Sequence, residues 1–188
     1  MWMMLAMTVL AADDFVVRGT SDGVEIASRE VPGSSFVELR FRLDVDGDLE
    51  AMCAAAWGTR TLDPKEPYLV ARQVVRERPN ERVVYDQISP PVVSKRDYVV
   101  RRTITHLAGG ACRVDFELAS DLGPPSPPGW VRLKRLTGVV EFSPTREGRV
   151  HVEHRIHTDP GGDLPAWIVE SSRRDQGVAW LRKVVSRG

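Results

Sequence analysis

The chain has 188 residues, a length typical of one domain that buries a substantial core without metals or disulfides. Its 26 basic and 26 acidic side chains give a formal net charge of zero, so charge provides no argument for a nucleic-acid-binding protein. The two cysteines allow at most one disulfide and exclude a cysteine-based zinc site.

Residues 1–12, MWMMLAMTVLAA, contain no charge and are followed directly by two aspartates. The stretch is too short to span a membrane, and it has the apolar character and small final residues of a secretory signal, although no basic residue precedes it. We therefore expect a mature domain at 13–188 that is periplasmic or secreted; the alternative is a short core element of a cytoplasmic protein. Cys53 and Cys112 are interpreted as packed small hydrophobes, and export would also permit a disulfide between them.

Alternation of apolar and polar residues from Val37 to Asp44 predicts a half-buried strand, and the turn sequences before it predict an antiparallel pair. Apolar residues at helical spacing then predict a helix from Leu49 that ends at Gly58, followed by a connector at 59–68. Further strands are predicted, separated by turn sequences rich in proline and glycine, at 69–78, 82–89, 96–107, 111–119, 130–142 and 148–157.

A long helix is predicted at 163–186. Asp163 is a suitable N-cap, and Pro165 falls in the first turn, where its missing N–H has no cost. Gly177 interrupts the apolar face and is a candidate for a kink. Strands followed by a long helix predict an α+β domain, with helices packed against one curved sheet.

The more apolar face of the strand at 96–107 is expected to point inward. This face carries Tyr98, Val100, Arg102 and Ile104. A buried guanidinium requires a carboxylate partner, and Asp86 on the preceding strand is the natural candidate for Arg102. The alternative is that Arg102 is a surface residue on a twisted strand, because arginine is rarely fully buried.

Three of the four histidines lie in the strand predicted at 148–157. His154 shares a face with apolar residues, whereas His151 and His157 lie on the other face, too far apart along one strand to chelate a metal together. The sequence suggests no further ligands, so no metal site is predicted. No nucleophile motif, phosphate-binding loop or dinucleotide glycine pattern occurs, so we predict neither catalytic residues nor a cofactor.

Three stretches together resemble the StAR-related lipid-transfer (START) family. DGVEIASREVPGSS is similar to the opening strand pair of bacterial members, and VVYDQISPPVVSKRDYVVRR contains the Arg-Asp-aromatic-Val strand that follows a proline-bearing loop. DPGGDLPAWIVE resembles the entry to the family's C-terminal helix, and is especially similar to phosphatidylcholine-transfer protein. The similarity covers about residues 15–186.

The resemblance implies a helix-grip fold, in which a curved antiparallel sheet wraps around the C-terminal helix and a tunnel between them holds one lipid. The buried arginine of the family falls on Arg102 and its acidic partner on Asp86, while the loop at 90–95 corresponds to the loop over the tunnel mouth. We expect the glycines at 161–162 and Pro165 to set the angle of the closing helix. Phosphatidylcholine specificity is not carried over, because choline recognition requires an aromatic cage and the sequence gives no basis for assembling one from Tyr68, Tyr85 and Tyr98.

We therefore predict a monomeric protein that binds one lipid, sterol-like or other hydrophobic molecule for transfer or sensing, with transient contact to a membrane surface. The expected ligand-site residues are Asp86, Arg102, Tyr98, Val100, Ile104, Phe116, His154, Trp167, Ile168 and Leu181. The alternative is a polyketide cyclase-like or hydrolytic enzyme on the same fold, with Asp86, Arg102 or His154 in acid–base roles.

Overall fold

The sheet that dominates the fold has ten strands and is antiparallel except at one short pairing. The computed structural model describes residues 14–58, 68–91 and 93–188, so the leader at 1–12 and most of the predicted connector lie outside the described residues. The strands are β1 Val16–Ser21, β2 Val24–Arg29, β3 Glu38–Val45, β4 Leu69–Arg78, β5 Glu81–Ile88, β6 Arg96–His106, β7 Cys112–Leu118, β8 Val131–Arg132, β9 Arg135–Pro144 and β10 Val150–Asp159. Their spatial order is β1-β2-β3-β10-β9-β7-β6-β5-β4, and β8 pairs in parallel with β6.

Two α-helices in the described part of the chain, α1 Leu49–Trp57 and α2 Ala166–Val185, pack against the same face of this sheet, which we call the inner face. Neither helix is long and apolar enough to cross a membrane. The predicted α+β helix-grip architecture is confirmed.

The strand predictions differ from the structure in two places. The segment after the leader forms three strands rather than a pair, because a turn joins β1 to β2 before a longer loop leads to β3. The predicted strand at 130–142 is divided into β8 and β9. The amide of Leu133 donates to the backbone carbonyl of Asp97 on β6, whereas the next amide, that of Lys134, donates to the backbone carbonyl of Asp159 on β10, so the chain changes partners here.

The larger apolar cluster lies between the inner face and the two helices. On β3 the buried Leu39, Phe41 and Leu43 follow the alternation that the sequence predicted. The helices contribute Met52, Cys53, Ala56, Val178, Leu181, Val184 and Val185 to the same cluster. This burial fixes which face of each helix points toward the sheet.

A disulfide between Cys53 and Cys112 joins α1 to β7, with 6.2 Å between the two Cα atoms. Both residues are buried in the apolar cluster, as predicted, but they are bonded rather than separate small hydrophobes. The N-terminus of α1 is capped by Asp48, whose carboxylate accepts from the amides of Glu50 and Ala51. The cap and the disulfide together fix α1 on the inner face.

The entry to α2 depends on two consecutive glycines. Gly161 and Gly162 have φ angles of 68° and 71°, in the left-handed region that favours glycine. The helix begins at Ala166, with Pro165 in the N-cap position, so the predicted capping role of Asp163 is wrong. Proline has no side-chain acceptor, and the turn is set by the backbone angles of the glycines instead.

α2 continues through Gly177 without interruption. A Cβ atom at this position would lie only 2.2 Å from Cζ of Phe41 on β3. The glycine therefore serves close packing of the helix on the sheet, and the predicted kink is not part of the structure.

The proline-rich loop at 120–129 covers the outer face of β5 and β6, where Val83, Tyr85, Val99 and Ala119 form a second apolar cluster. The buried carboxylate of Asp97 accepts hydrogen bonds from Ser126 Oγ at 2.7 Å and from Arg132 Nη2 at 2.7 Å. Burial alone raises the pKa of Asp97, but the hydrogen bonds from Arg132 and Ser126 reduce it to below its usual value. The loop is thus held by a paired charge.

We expect reduction of the Cys53–Cys112 disulfide to lower the free energy of unfolding by about 2–4 kcal/mol, because the link closes a long loop in the unfolded chain. Urea denaturation with and without dithiothreitol measures this. The C53A/C112A double variant should match the reduced protein and should not respond to the reductant. Identical curves for the oxidised and reduced wild type would contradict the prediction.

Candidate functional site

Asp86 lies fully buried on the inner face of β5, where it forms a bidentate ion pair with Arg72 of β4. The Nε–Oδ1 and Nη2–Oδ2 distances are 2.7 and 2.8 Å. The predicted pairing with Arg102 is wrong. In the β5–β6 register Asp86 lies opposite Tyr98 and Arg102 lies opposite Arg82, so about 13 Å of strand separates the two predicted partners.

Arg102 is partly buried on the inner face of β6, as the resemblance implied. Its Nη1 lies 3.5 Å from the carbonyl oxygen of Trp57, and the neighbouring Arg82 donates to the carbonyl of Gly58 at 3.0 Å. Both guanidinium groups therefore reach the C-terminus of α1, the negative end of the helix dipole. Arg102 therefore takes part in a contact between the sheet and α1, and it does not pair with Asp86.

His154 lies at the centre of an aromatic group on the inner face, which we call the His154 cluster. Its ring centroid is 4.7 Å from Trp180 of α2, 5.7 Å from Phe41 and 5.8 Å from Phe116. Nδ1 lies 3.1 Å from the carbonyl oxygen of Val139 and therefore donates its proton there, which leaves Nε2 as an acceptor.

The surroundings of His154 keep its ring neutral. Burial lowers its pKa to about 4. The hydrogen bond to the carbonyl of Val139 acts in the opposite direction, and the positive charge of Arg173 lowers the pKa further. A neutral imidazole among aromatic rings is a hydrogen-bond partner for a hydroxyl group.

The other predicted site residues divide into two groups. Val100 and Leu181 are buried. Tyr98 and Ile104 are partly buried and share the inner face of β6 with Arg102. Phe116, also partly buried, lies opposite Arg102 on β7. Trp167 and Ile168 do not line the inner face, because their side chains are 72% and 39% exposed. The helix begins three residues later than predicted, and Val169, which is buried, takes the inward position.

Four residues of this region were not predicted, namely Arg72, Arg96, Arg173 and Trp180. Counted from Leu69 by simple alternation, Arg72 falls on the outer face, but a bulge near Ala71 moves it to the inner face beside Asp86. Arg173 follows the buried Val169 by four residues on α2, so its spacing was a usable indication of an inward position. Because arginine is rarely buried, its charge instead favoured a solvent-exposed position.

No group of three His, Cys, Asp or Glu side chains suited to a metal ion occurs among the residues at 14–58, 68–91 and 93–188. The inner face instead combines apolar surface, the His154 cluster and several arginines. Such a surface is suited to binding an amphiphile, whose tail and polar end require different surroundings.

The model of the START domain family matches residues 47–187, which is more than half of the chain. The chain belongs to the START domain family. An uncharacterized protein of Pseudomonas aeruginosa is 26% identical over 179 residues, covering 89% of this chain and 88% of that protein. This START domain is therefore similar to a bacterial protein over nearly its whole length.

Solved structures agree with the fold. A STAR-related lipid transfer protein fragment from Xanthomonas axonopodis has a TM-score of 0.80 at 23% identity, covering 93% of this chain and 98% of that one. Human StAR-related lipid transfer protein 5 has a TM-score of 0.73 at 19% identity, with 94% and 88% covered. The Zhui aromatase/cyclase from Streptomyces sp. R1128 is more distant, with a TM-score of 0.57 at 13% identity and 79% and 91% covered.

Removing the carboxylate of Asp86 should lower the free energy of unfolding of this START domain by about 3–5 kcal/mol, because Arg72 stays buried without the group that faces it. Chemical denaturation of D86A, R72A and the double variant measures this and should give a double-variant loss well below the sum. As a control, D115A breaks the more exposed pair with Arg113 and should cost less than about 1 kcal/mol. Strong coupling of Asp86 to Arg102 instead of Arg72 would contradict the assignment.

His154 should make the domain less stable at acidic pH. Its pKa is about 4 in the folded state, below the ordinary histidine value of 6.5 that applies to the unfolded chain, so between these values only the unfolded chain takes up the proton. Stability attributable to this group is complete above about pH 6.5 and declines by roughly 3 kcal/mol as the pH falls toward 4. Denaturation of wild type and H154Q at several pH values measures this.

The pH dependence in H154Q should be smaller than in the wild type. As a control, H106Q replaces an exposed histidine and should retain the wild-type dependence. Equal pH dependence in wild type and H154Q would show that folding does not lower the pKa of His154 and would contradict the prediction.

Proposed function

We propose that this START domain binds one lipid, sterol-like or other hydrophobic molecule between its inner face and α2, and that it transfers or senses this molecule without chemical change. The observation that carries the proposal is the inner face itself, where buried apolar side chains, the His154 cluster and buried charged groups lie on one side of one sheet. An amphiphilic ligand gains about 0.8 kcal/mol for each buried CH₂ group and needs only a few polar contacts at one end.

The hinge before α2 supports a closing role for the helix. Gly161 and Gly162 both have positive φ, and the amide of Gly161 donates to the Asp159 carboxylate at 2.9 Å. A hinge of this kind absorbs backbone rotation at a few residues while the helix moves as a unit. We infer that ligand entry requires movement of α2 or of the loop at 90–95.

The enzyme alternative requires an acid–base pair on the inner face. Both oxygens of Asp86 accept from Arg72, and Arg102 lies about 13 Å along the sheet from Asp86. His154, whose pKa burial lowers to about 4, is a weak base near pH 7. These arrangements favour binding over acid–base catalysis.

Native mass spectrometry of protein purified from its own host tests the binding proposal. One bound hydrophobic molecule per chain, recovered with unchanged mass after incubation, is the expected result. Conversion of the molecule during incubation would favour the cyclase-like or hydrolytic alternative. Protein that carries no hydrophobic molecule and binds no fluorescent lipid would contradict the proposal.

Trp167 and Ile168 are neighbours on the exposed side of the first turn of α2, and we propose that they enter a membrane surface during ligand exchange. The variant W167S/I168S should slow lipid transfer between vesicles by roughly tenfold, while its affinity for a soluble fluorescent lipid stays within about twofold of wild type. As a matched control, V16S/V17S changes two exposed apolar residues on the edge strand β1. Equal transfer rates in the two variants would remove the proposed role.

We also propose that the protein is exported, because the Cys53–Cys112 disulfide suits an oxidising compartment and the apolar stretch at 1–12 ends in small residues. The mature chain is then expected to start near Asp13. Intact-mass measurement of protein from the native host checks this start. A soluble cytoplasmic protein that retains 1–12 and has two free thiols would contradict it.

A further inference from the structure

Arg96, the first residue of β6, is buried without a carboxylate. Its side chain is only 4% exposed. The guanidinium donates to the carbonyl of Ser94 and lies 3.5 Å from that of Gly161, while its Nε has no hydrogen-bond partner. Burial lowers the pKa of Arg96, and no acidic residue offsets that effect.

Arg173 on the inward side of α2 is in a similar position. Its Nη1 and Nη2 donate to the carbonyls of Thr158 and Ile156 at 3.2 and 3.3 Å. Burial lowers its pKa to about 10, and Glu170 one turn earlier opposes this without forming a salt bridge. Backbone carbonyls satisfy the donors of this guanidinium, but they do not neutralise its charge.

The two arginines reach the same short segment. Arg173 contacts the last residues of β10, and Arg96 contacts Gly161, immediately after that strand. The carboxylate in this segment, that of Asp159, accepts from the amide of Gly161 and forms no salt bridge with either arginine. Both guanidinium groups therefore contact backbone carbonyls of the segment at 156–161, which leads into the hinge before α2.

Three other arginines with little exposed surface have acidic partners. Arg72 pairs with Asp86 at 2.7 Å, Arg82 with Glu77 at 2.9 Å and Arg132 with Asp97 at 2.7 Å. A guanidinium does not lose its proton to escape burial, so its charge must be met by another group. Within the described residues, neither Arg96 nor Arg173 forms such a salt bridge.

We propose that Arg96 and Arg173 bind the anionic headgroup, a carboxylate or a phosphate, of the molecule held under α2, so that the natural ligand is an acidic amphiphile. This inference rests on the proposed function and specifies its ligand class. The headgroup lies at the hinge, and the tail extends along the apolar inner face toward the His154 cluster. Guanidinium is suited to both headgroups, because its planar donors match paired oxygens.

The competing explanation is that the two arginines only brace the hinge by holding backbone carbonyls. A brace contributes to stability whatever the ligand is. A headgroup site distinguishes a charged ligand from a neutral one with the same tail. The decisive quantity is therefore the ratio of the affinities for an acid and for its ester.

The probes are cis-parinaric acid and its methyl ester, which share one fluorescent tail and differ in charge at about pH 8. Displacement of the ester by dioleoylphosphatidic acid and by dioleoylglycerol provides the same comparison for a phosphate headgroup. The wild type should prefer the acidic member of at least one pair by roughly tenfold or more. Preference for the fatty acid identifies a carboxylate ligand, and preference for phosphatidic acid identifies a phosphate ligand.

The variants are R96M and R173M, with R96K and R173K as charge-preserving partners. Each methionine variant should lose about 10–100-fold in affinity for the preferred acid and change ester or glyceride binding by less than about twofold, and the lysine variants should recover most of the loss. R146M is the matched control, because it removes one positive charge from the exposed turn after β9. If R96M does not fold, R173M and R96K still test the site.

Equal affinity of the wild type for acid and neutral probes would overturn the inference and leave the proposed function intact. Equal losses for acid and neutral probes in R96M and R173M would do the same, and would identify the arginines as a brace. If no probe of either kind binds the wild type, the proposed function itself fails, and the headgroup site fails with it.

Discussion

The contact between Gly177 and the ring of Phe41 determines how closely α2 approaches the sheet. Any side chain at position 177 would overlap the ring, since its Cβ would lie 2.2 Å from Cζ. With this contact made, Trp180 reaches the His154 ring, and about two turns earlier Arg173 reaches the carbonyls at the end of β10. The missing side chain thus positions both the aromatic and the charged parts of the candidate site.

The inner face separates its polar groups into two kinds. Toward β4 and β5, Asp86 and Arg72 neutralise each other within the sheet, so this pair is complete without a ligand. At the hinge before α2, Arg96 and Arg173 are held by backbone carbonyls alone. Under the proposed function, the first arrangement keeps the fold intact when the domain is empty, and the second provides the electrostatic preference for an acidic ligand.

The outer face supports this arrangement from behind. Asp97 lies next to Arg96 in the chain but points to the opposite face, where Arg132 and Ser126 hold its carboxylate. Gly123 of the proline-rich loop lies directly over Val99, and a Cβ there would be 2.2 Å from that side chain. The start of β6 is therefore fixed on both sides, which holds the guanidinium of Arg96 near the hinge.

The sequence by itself determined the elements of this fold, because burial imposes a period of two on strands and of 3.6 on helices. It also determined that Val100, Leu181 and His154 point inward, since each lies on an apolar face. The glycines at 161–162 were identified as a hinge because few other residues adopt the left-handed angles that they have.

Tertiary structure decided which charges meet. The bulge in β4 brought Arg72 to Asp86, and the register of β5 and β6 kept Arg102 away from it, because a register is set by whole strands rather than by neighbouring residues. Trp167 is exposed although it lies 18 residues, about five helical turns, before the buried Val185 on the same face, so helical periodicity did not decide its burial. Periodicity predicts which face a residue occupies, whereas only the packed structure decides which residue of another element lies opposite it.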